Sequence, residues 1–198
     1  MSRSIRIASG PGASSGHDYD RVGHNFLFVV VREGSAAVNH IPVSAVVIAY
    51  NDEPNMRACL ESITWADEII VVDSHSTDAT ERISREFTDQ VYQHDFHGFG
   101  RLRNEALTHA THDRVISLGT DGRATPELRG EIRRVLAAGP GADAYCAPRK
   151  NYFLGRWIKH CGWFPDYRQP QLFRKSRLRY REELVHESFD LDGKIGYL

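Results

Sequence analysis

The sequence predicts an α/β fold, a mixed but mainly parallel Rossmann-like sheet with helices on both faces, on three observations. Apolar runs rich in β-branched residues alternate four times with amphipathic helical stretches. The strand centres fall near residues 47, 71, 92 and 116, a spacing that suits βα units. Two strands also end in carboxylates and small hydroxyls before a helix, at Asn51-Asp52-Glu53-Pro54 and at Asp73-Ser74-His75-Ser76-Thr77-Asp78. Open α/β sheets bind ligands at the carboxyl ends of their strands, so this pattern suggests a nucleotide site.

The stretch Val43 to Asn51 reads as a buried strand that runs into a polar turn. A helix follows over Pro54 to Thr64, with Met56, Cys59, Leu60 and Ile63 on one face and Pro54 in its first turn. Glu68 to Asp73 is the second strand, and Asp78 to Phe87 the second helix, opened by a capping box of Asp78 and Glu81. A short strand at Gln90 to His94 precedes a helix over Phe99 to Ala110. Arg114 to Leu118 forms the fourth strand and runs into Gly119-Thr120-Asp121-Gly122. Thr125 caps a fourth helix, Pro126 sits at its first position, and Gly139-Pro140 stops it. Ala142 to Cys146 reads as a strand.

Beyond residue 147 the pattern changes. Arg, Lys, Tyr, Trp and Phe crowd Arg149 to Tyr180, the composition of a ligand-contacting half rather than another βα unit. Residues 1–40 are rich in Ser, Gly and Arg, with one apolar island at Phe26 to Val31, and read as a mostly disordered leader. Residues 41–198 form the domain, with a nucleotide-binding half at 41–146 and an acceptor half at 147–198. The chain ends just after an apparent hairpin at Asp192-Gly193, which reads as a polypeptide cut short.

The totals exclude several classes. The 198 residues carry 25 Lys and Arg against 26 Asp and Glu, so the net charge of -1 gives no global push toward nucleic acid. Three cysteines fit neither a zinc motif nor a disulfide framework. No apolar run reaches the roughly 18 residues of a spanning helix, and no secretion signal is evident, so a cytoplasmic protein is expected.

Each candidate site residue has a plain structural alternative. Asp73 is a turn carboxylate or a partner of a base or ribose. Asp121 is a solvated loop residue or the ligand of a divalent cation that neutralises a diphosphate. Arg101, Arg103 and Asn104 open a helix where cations oppose the dipole, which suits phosphate contact or a solvated face. Arg149, Lys150, Arg156, Lys159 and His160, among aromatics, suit sugars and phosphates, or RNA by stacking. Asp166 after Pro165 is a turn carboxylate or a general base in an aromatic pocket. His186 is a metal ligand beside Asp121 or a polar residue near a strand end.

Together these residues resemble the family 2 glycosyltransferases, and within them the lipopolysaccharide core glucosyltransferase-like branch. The resemblance runs from Val43 to about Gly193. It rests on Ala49-Tyr50-Asn51-Asp52-Glu53, on the stretch Trp65 to Asp78, on Gly98-Phe99-Gly100 with Arg103-Asn104, on Asn151 to Trp157, on Gly162 to Asp166, and on Val185-His186-Glu187. It implies a GT-A-type fold and an inverting transfer of sugar from a nucleotide-sugar donor, UDP-linked, to a glycan or lipid-linked acceptor of the cell envelope. Tyr50, Asn51, Glu53 and Asp73 would surround the nucleoside, and Arg103 would lie near the phosphates. Asp166 would be the base, with Glu187 as second choice. Peripheral association with the inner face of the cell membrane is implied as well.

One departure stands out. Where the family has Asp-x-Asp-Glu, this chain has Gly119-Thr120-Asp121-Gly122. The resemblance therefore implies a weakly bound magnesium or manganese ion at Asp121, with His186 as a helper. The alternative is a catalytically impaired relative that binds a nucleotide sugar or a protein partner without turnover.

Overall fold

Strand β1 (Val43–Ala49) is buried along its whole length and lies inside a seven-stranded sheet. The computed structural model describes residues 40–160, 168–182 and 188–198. The predicted leader lies outside them. The remaining elements are α1 (Glu53–Ile63), β2 (Glu68–Asp73), α2 (Thr80–Ser84), β3 (Val91–Gln93), α3 (Phe99–His109), β4 (Arg114–Gly119), α4 (Pro126–Ala137), β5 (Ala144–Pro148), β6 (Tyr152–Phe153), β7 (Arg156–Trp157), β8 (Arg168–Arg174), β9 (Leu178–Tyr180), β10 (Phe189–Leu191) and β11 (Ile195–Tyr197).

The sheet order is β11-β5-β8-β4-β1-β2-β3. β1 pairs in parallel with both β2 and β4, β2 with β3, and β5 with β11. Only β8 runs antiparallel, between β4 and β5, which makes the sheet mixed.

Strand periodicity assigns the two faces. Val43, Ala45, Val47 and Ala49 of β1 pack with Met56, Cys59, Leu60 and Ile63 of α1, Ile83 of α2, and Ile132 and Leu136 of α4. Val46 and Ile48 point the other way, onto Leu102, Ala106 and Leu107 of α3, with Phe173 of β8 and Tyr180 of β9 in the same cluster. Successive side chains of a strand leave on opposite faces, so a buried central strand needs apolar residues at every position. Helices therefore cover both faces, as expected.

Three local expectations are corrected. The second helix is only Thr80–Ser84, because i→i+3 bonds from Glu86 N–H to Ile83 O and from Phe87 N–H to Ser84 O tighten the chain into a turn. Asp78 does not form a capping box with Glu81. It accepts from the Thr80 N–H at 2.9 Å and from the Glu53 N–H at 3.0 Å, while Glu53 accepts from the Ala79 N–H at 3.2 Å. The starts of α1 and α2 thus cap each other. Finally, Asp192-Gly193 is no hairpin: β10 before it pairs with β9, and β11 after it pairs with β5.

By contrast, Thr125 caps α4 as expected, accepting from the Leu128 N–H at 3.3 Å.

Candidate functional site

In a parallel sheet every strand delivers its end to the same edge, and register decides which ends meet. Ala49 stands opposite Asp73, and Ile48 opposite Gly119. The loops after β1, β2 and β4 therefore leave side by side, bringing Asn51, Asp73 and Asp121 to one edge.

Hydrogen bonds join these loops. The Asn51 N–H donates to Ser76 Oγ at 2.8 Å, and Asn51 Oδ1 accepts from the Thr77 N–H at 2.7 Å. Asn51 holds this position at φ 45°, a left-handed conformation that Asn tolerates better than most residues. Asp73 is fully buried. Its carboxylate accepts from the Ser76 N–H at 2.8 Å and from the Ser76 hydroxyl. The hydroxyl of neighbouring Ser74 is buried without a hydrogen-bond partner among the described residues.

On the other side, Thr120 Oγ1 donates to Asp52 Oδ2 at 2.5 Å and ties the β4 loop to the start of α1. Arg123 strengthens this tie by donating to Thr120 O at 2.7 Å and to Asn55 O at 3.0 Å. Beneath them, Cys59 donates to Gly119 O at 3.6 Å. Burial pushes its thiol up to about 12, so it stays protonated at neutral pH.

The other predicted residues fall as follows. Tyr50 is exposed at the rim. Glu53 lies at the edge, holding the Ala79 N–H. Arg103 on α3 donates to Ser117 Oγ of β4 at 2.9 Å, with its guanidinium 5.6 Å from the centre of the Tyr180 ring. Asn104 clamps the β9 backbone, donating to Tyr180 O at 2.8 Å and accepting from the Tyr180 N–H at 3.0 Å. Asp166, His186 and Glu187 lie outside the described residues.

The sequence reading named Ser76 and Thr120 only as parts of strand-end stretches, with no role of their own, and did not name Arg123. Two of them are small hydroxyl residues one to three positions past a strand end, a signal available in principle. Arg123 carried no such signal.

Asp121 is exposed, with its side chain 71% accessible and the Arg149 guanidinium 3.7 Å away. No group of three or more His, Cys, Asp or Glu residues that could hold a metal ion occurs among the described residues. One carboxylate suits a cation whose other ligands are substrate phosphates and water. These residues therefore fit a metal shared with a diphosphate, and do not form an all-protein cage.

A cavity of about 560 Å³ lies at the opposite edge, where β1, β4 and β5 begin, among Pro42, His112, Arg114 and Asp143. Its charged groups are already paired: Arg174 bonds Asp113 at 2.7 Å, and Arg114 donates to Ala142 O at 3.0 Å. It is the less suited of the two edges to an incoming anion.

The chain is similar to known proteins. The family described as glycosyl transferase family 2 matches residues 44–194. The lipopolysaccharide core biosynthesis glycosyltransferase LpsC of Rhizobium meliloti is 27% identical over 166 residues, which are 79% of this chain and 60% of LpsC. An uncharacterized glycosyltransferase of Rickettsia bellii is 30% identical over 53% of this chain and 36% of its own length. The crystal structure of S. aureus TarS in complex with UDP-GlcNAc superposes with a TM-score of 0.51 at 25% identity, over 60% of this chain and 37% of that one. The chain thus spans less than two thirds of each of these relatives.

Proposed function

The chain belongs to glycosyl transferase family 2, and we propose that it moves a sugar from a UDP-linked donor to a glycan or lipid-linked acceptor of the cell envelope. Its similarity to LpsC supports the acceptor class, and its similarity to TarS, crystallised with UDP-GlcNAc, supports the donor class. The observation that carries the reading is the carboxyl edge of the sheet, where the loops after β1, β2 and β4 are bonded into one rim around Asn51, Asp73 and Asp121.

In this reading Tyr50, Asn51, Glu53 and Asp73 hold the nucleoside, and Arg103 offsets charge on the diphosphate. Asp166 takes the proton of the acceptor hydroxyl, with Glu187 as second choice. The hydroxyl oxygen attacks the anomeric carbon from the face opposite the diphosphate, whose bond breaks, so the configuration inverts. A magnesium or manganese ion held weakly by Asp121, with His186, would neutralise the leaving diphosphate when bound. The reaction takes place in the cytoplasm, at the inner face of the cell membrane. No helix among the described residues is long and apolar enough to cross a membrane.

The Gly119-Thr120-Asp121-Gly122 loop favours a second reading, a relative that binds the donor without turnover. One substitution separates the two. A Cβ at position 119 would stand 2.9 Å from Asp121 Oδ1, and that exposed carboxylate can swing aside. Calorimetry with UDP-sugars and manganese is expected to show binding by the native chain. Gly119→Asp is expected to tighten manganese binding roughly tenfold and to speed UDP release. Binding without turnover in both proteins favours the second reading, and no binding of any nucleotide sugar defeats both.

A further inference from the structure

The β6–β7 hairpin points to a lipid surface. Tyr152 and Phe153 pair antiparallel with Trp157 and Arg156, joined by the two-residue turn Leu154-Gly155. Both turn residues have positive φ, 48° and 74°, as tight primed hairpin turns require. Asn, Asp or Gly is favoured at the first of these positions, and Leu takes it only at a conformational cost. The fold returns nothing for that cost. Leu154 is 88% exposed, with Tyr152 at 66% and Phe153 at 67%. Three of the eight exposed large hydrophobic residues among the described residues thus stand consecutively at one tip. A contiguous patch of this kind marks an interaction site.

Cations flank the hairpin, Arg156 opposite Phe153 beside the turn and Arg149, Lys150 and Lys159 at the base. Residues 149–160 include Arg149, Lys150, Arg156 and Lys159 and no carboxylate. The ammonium groups of Lys150 and Lys159 lie 5.6 and 4.6 Å from the centre of the Trp157 ring. Leu154 at the turn, the Trp157 indole in the second pair back and two ammonium groups on that indole follow the depth order of a bilayer (hydrocarbon, interface, anionic headgroups), and the long Arg156 side chain beside the turn can carry its guanidinium back to the headgroups. Arg149, at the root, is 3.7 Å from Asp121, so the hairpin rises from the same edge as the proposed donor site.

We propose that this hairpin is a membrane-docking finger, which inserts Tyr152, Phe153 and Leu154 into the interface of an anionic bilayer and lays Lys150, Arg156 and Lys159 against its headgroups. It deepens the acceptor side of the reading above and rests on that reading only for the lipid-linked acceptor. Docking would hold the carboxyl edge of the sheet close to the membrane surface.

The test is flotation of the full chain with vesicles of phosphatidylcholine, alone or mixed with phosphatidylglycerol. The native chain is expected to float with the anionic vesicles and to be released from them by salt. The paired substitution Phe153→Ser and Leu154→Asn is expected to lower the partition roughly tenfold or more. Asn suits the turn, so thermal unfolding should show the fold retained. Equal flotation of native and substituted chains overturns the proposal, as does native chain that stays with the soluble fraction or binds neutral vesicles equally well. UDP binding, measured on the same samples, keeps the two readings apart: lipid binding without UDP binding strikes only the transferase reading, and the reverse strikes only the finger.

Discussion

Asn51 shows how one residue can serve both fold and site. Its side chain receives the Thr77 N–H across the gap between the β1 and β2 loops, and its backbone turns at φ 45°. Asn51→Ala removes the acceptor and places a poorly tolerated residue in that conformation. The expected loss is about 1–2 kcal/mol of stability by urea unfolding, with weaker binding of UDP in parallel. Asn51→Gly keeps the conformation and should lose less. Unchanged stability and UDP binding in the Ala variant would remove Asn51 from the account. Asp73 was legible as a strand-end carboxylate, but its capture of Ser76 was not, because sequence spacing does not say which local donors a buried acid will take. The structure shows the turn reading of Asp73; its contact with a nucleoside belongs to the proposed function.

At the scale of elements, α3 illustrates a close approach that composition hides. A Cβ at Gly100 would lie 1.9 Å from the backbone oxygen of Arg181, an atom with little room to move. Gly100→Ala is expected to destabilise the protein by about 2–3 kcal/mol or more, seen as a lower urea midpoint. A neutral result would mean that the chain near Arg181 yields freely. The far end of α3 carries a pH effect. His109 stacks on Tyr92 with ring centres 3.7 Å apart, and its Nε2 is 3.3 Å from Nε2 of His94. Burial, and then the charge of a protonated His94, hold the His109 imidazole below its ordinary 6.5, against the opposing pull of Glu105. Between that lowered value and 6.5 the unfolded chain binds more protons than the folded one, so stability falls as pH falls. The urea midpoint should drop as pH is lowered through this window, and His109→Gln should flatten the drop. An identical slope in the variant would contradict the assignment.

The long amphipathic helices and the apolar strands were legible because burial on one or both faces imposes their periodicity. The β8 strand was not. Its Arg-Gln-Pro-Gln opening carries Pro170, which cannot donate to a ladder, and the structure accommodates it with a shift in register between Tyr145 and Cys146. The reciprocal capping of α1 and α2 was equally hidden, since it joins Glu53 to Ala79 and Asp78 to Glu53 across 25 or more residues.

At the scale of the whole molecule, the proposed function has one edge of the sheet, and not the other, receive the nucleotide. The two edges differ in kind. The amino edge has a cavity whose charges are already matched, whereas the carboxyl edge has bonded loops, a buried Ser74 hydroxyl with no partner among the described residues and an exposed Asp121. Hydrogen exchange by mass spectrometry, with and without UDP and manganese, distinguishes them directly. Protection is predicted in the loops around Asn51 to Asn55, Ser74 to Thr80 and Gly119 to Arg123. Protection centred instead on Thr111 to Arg114 and Pro140 to Asp143 would contradict the account.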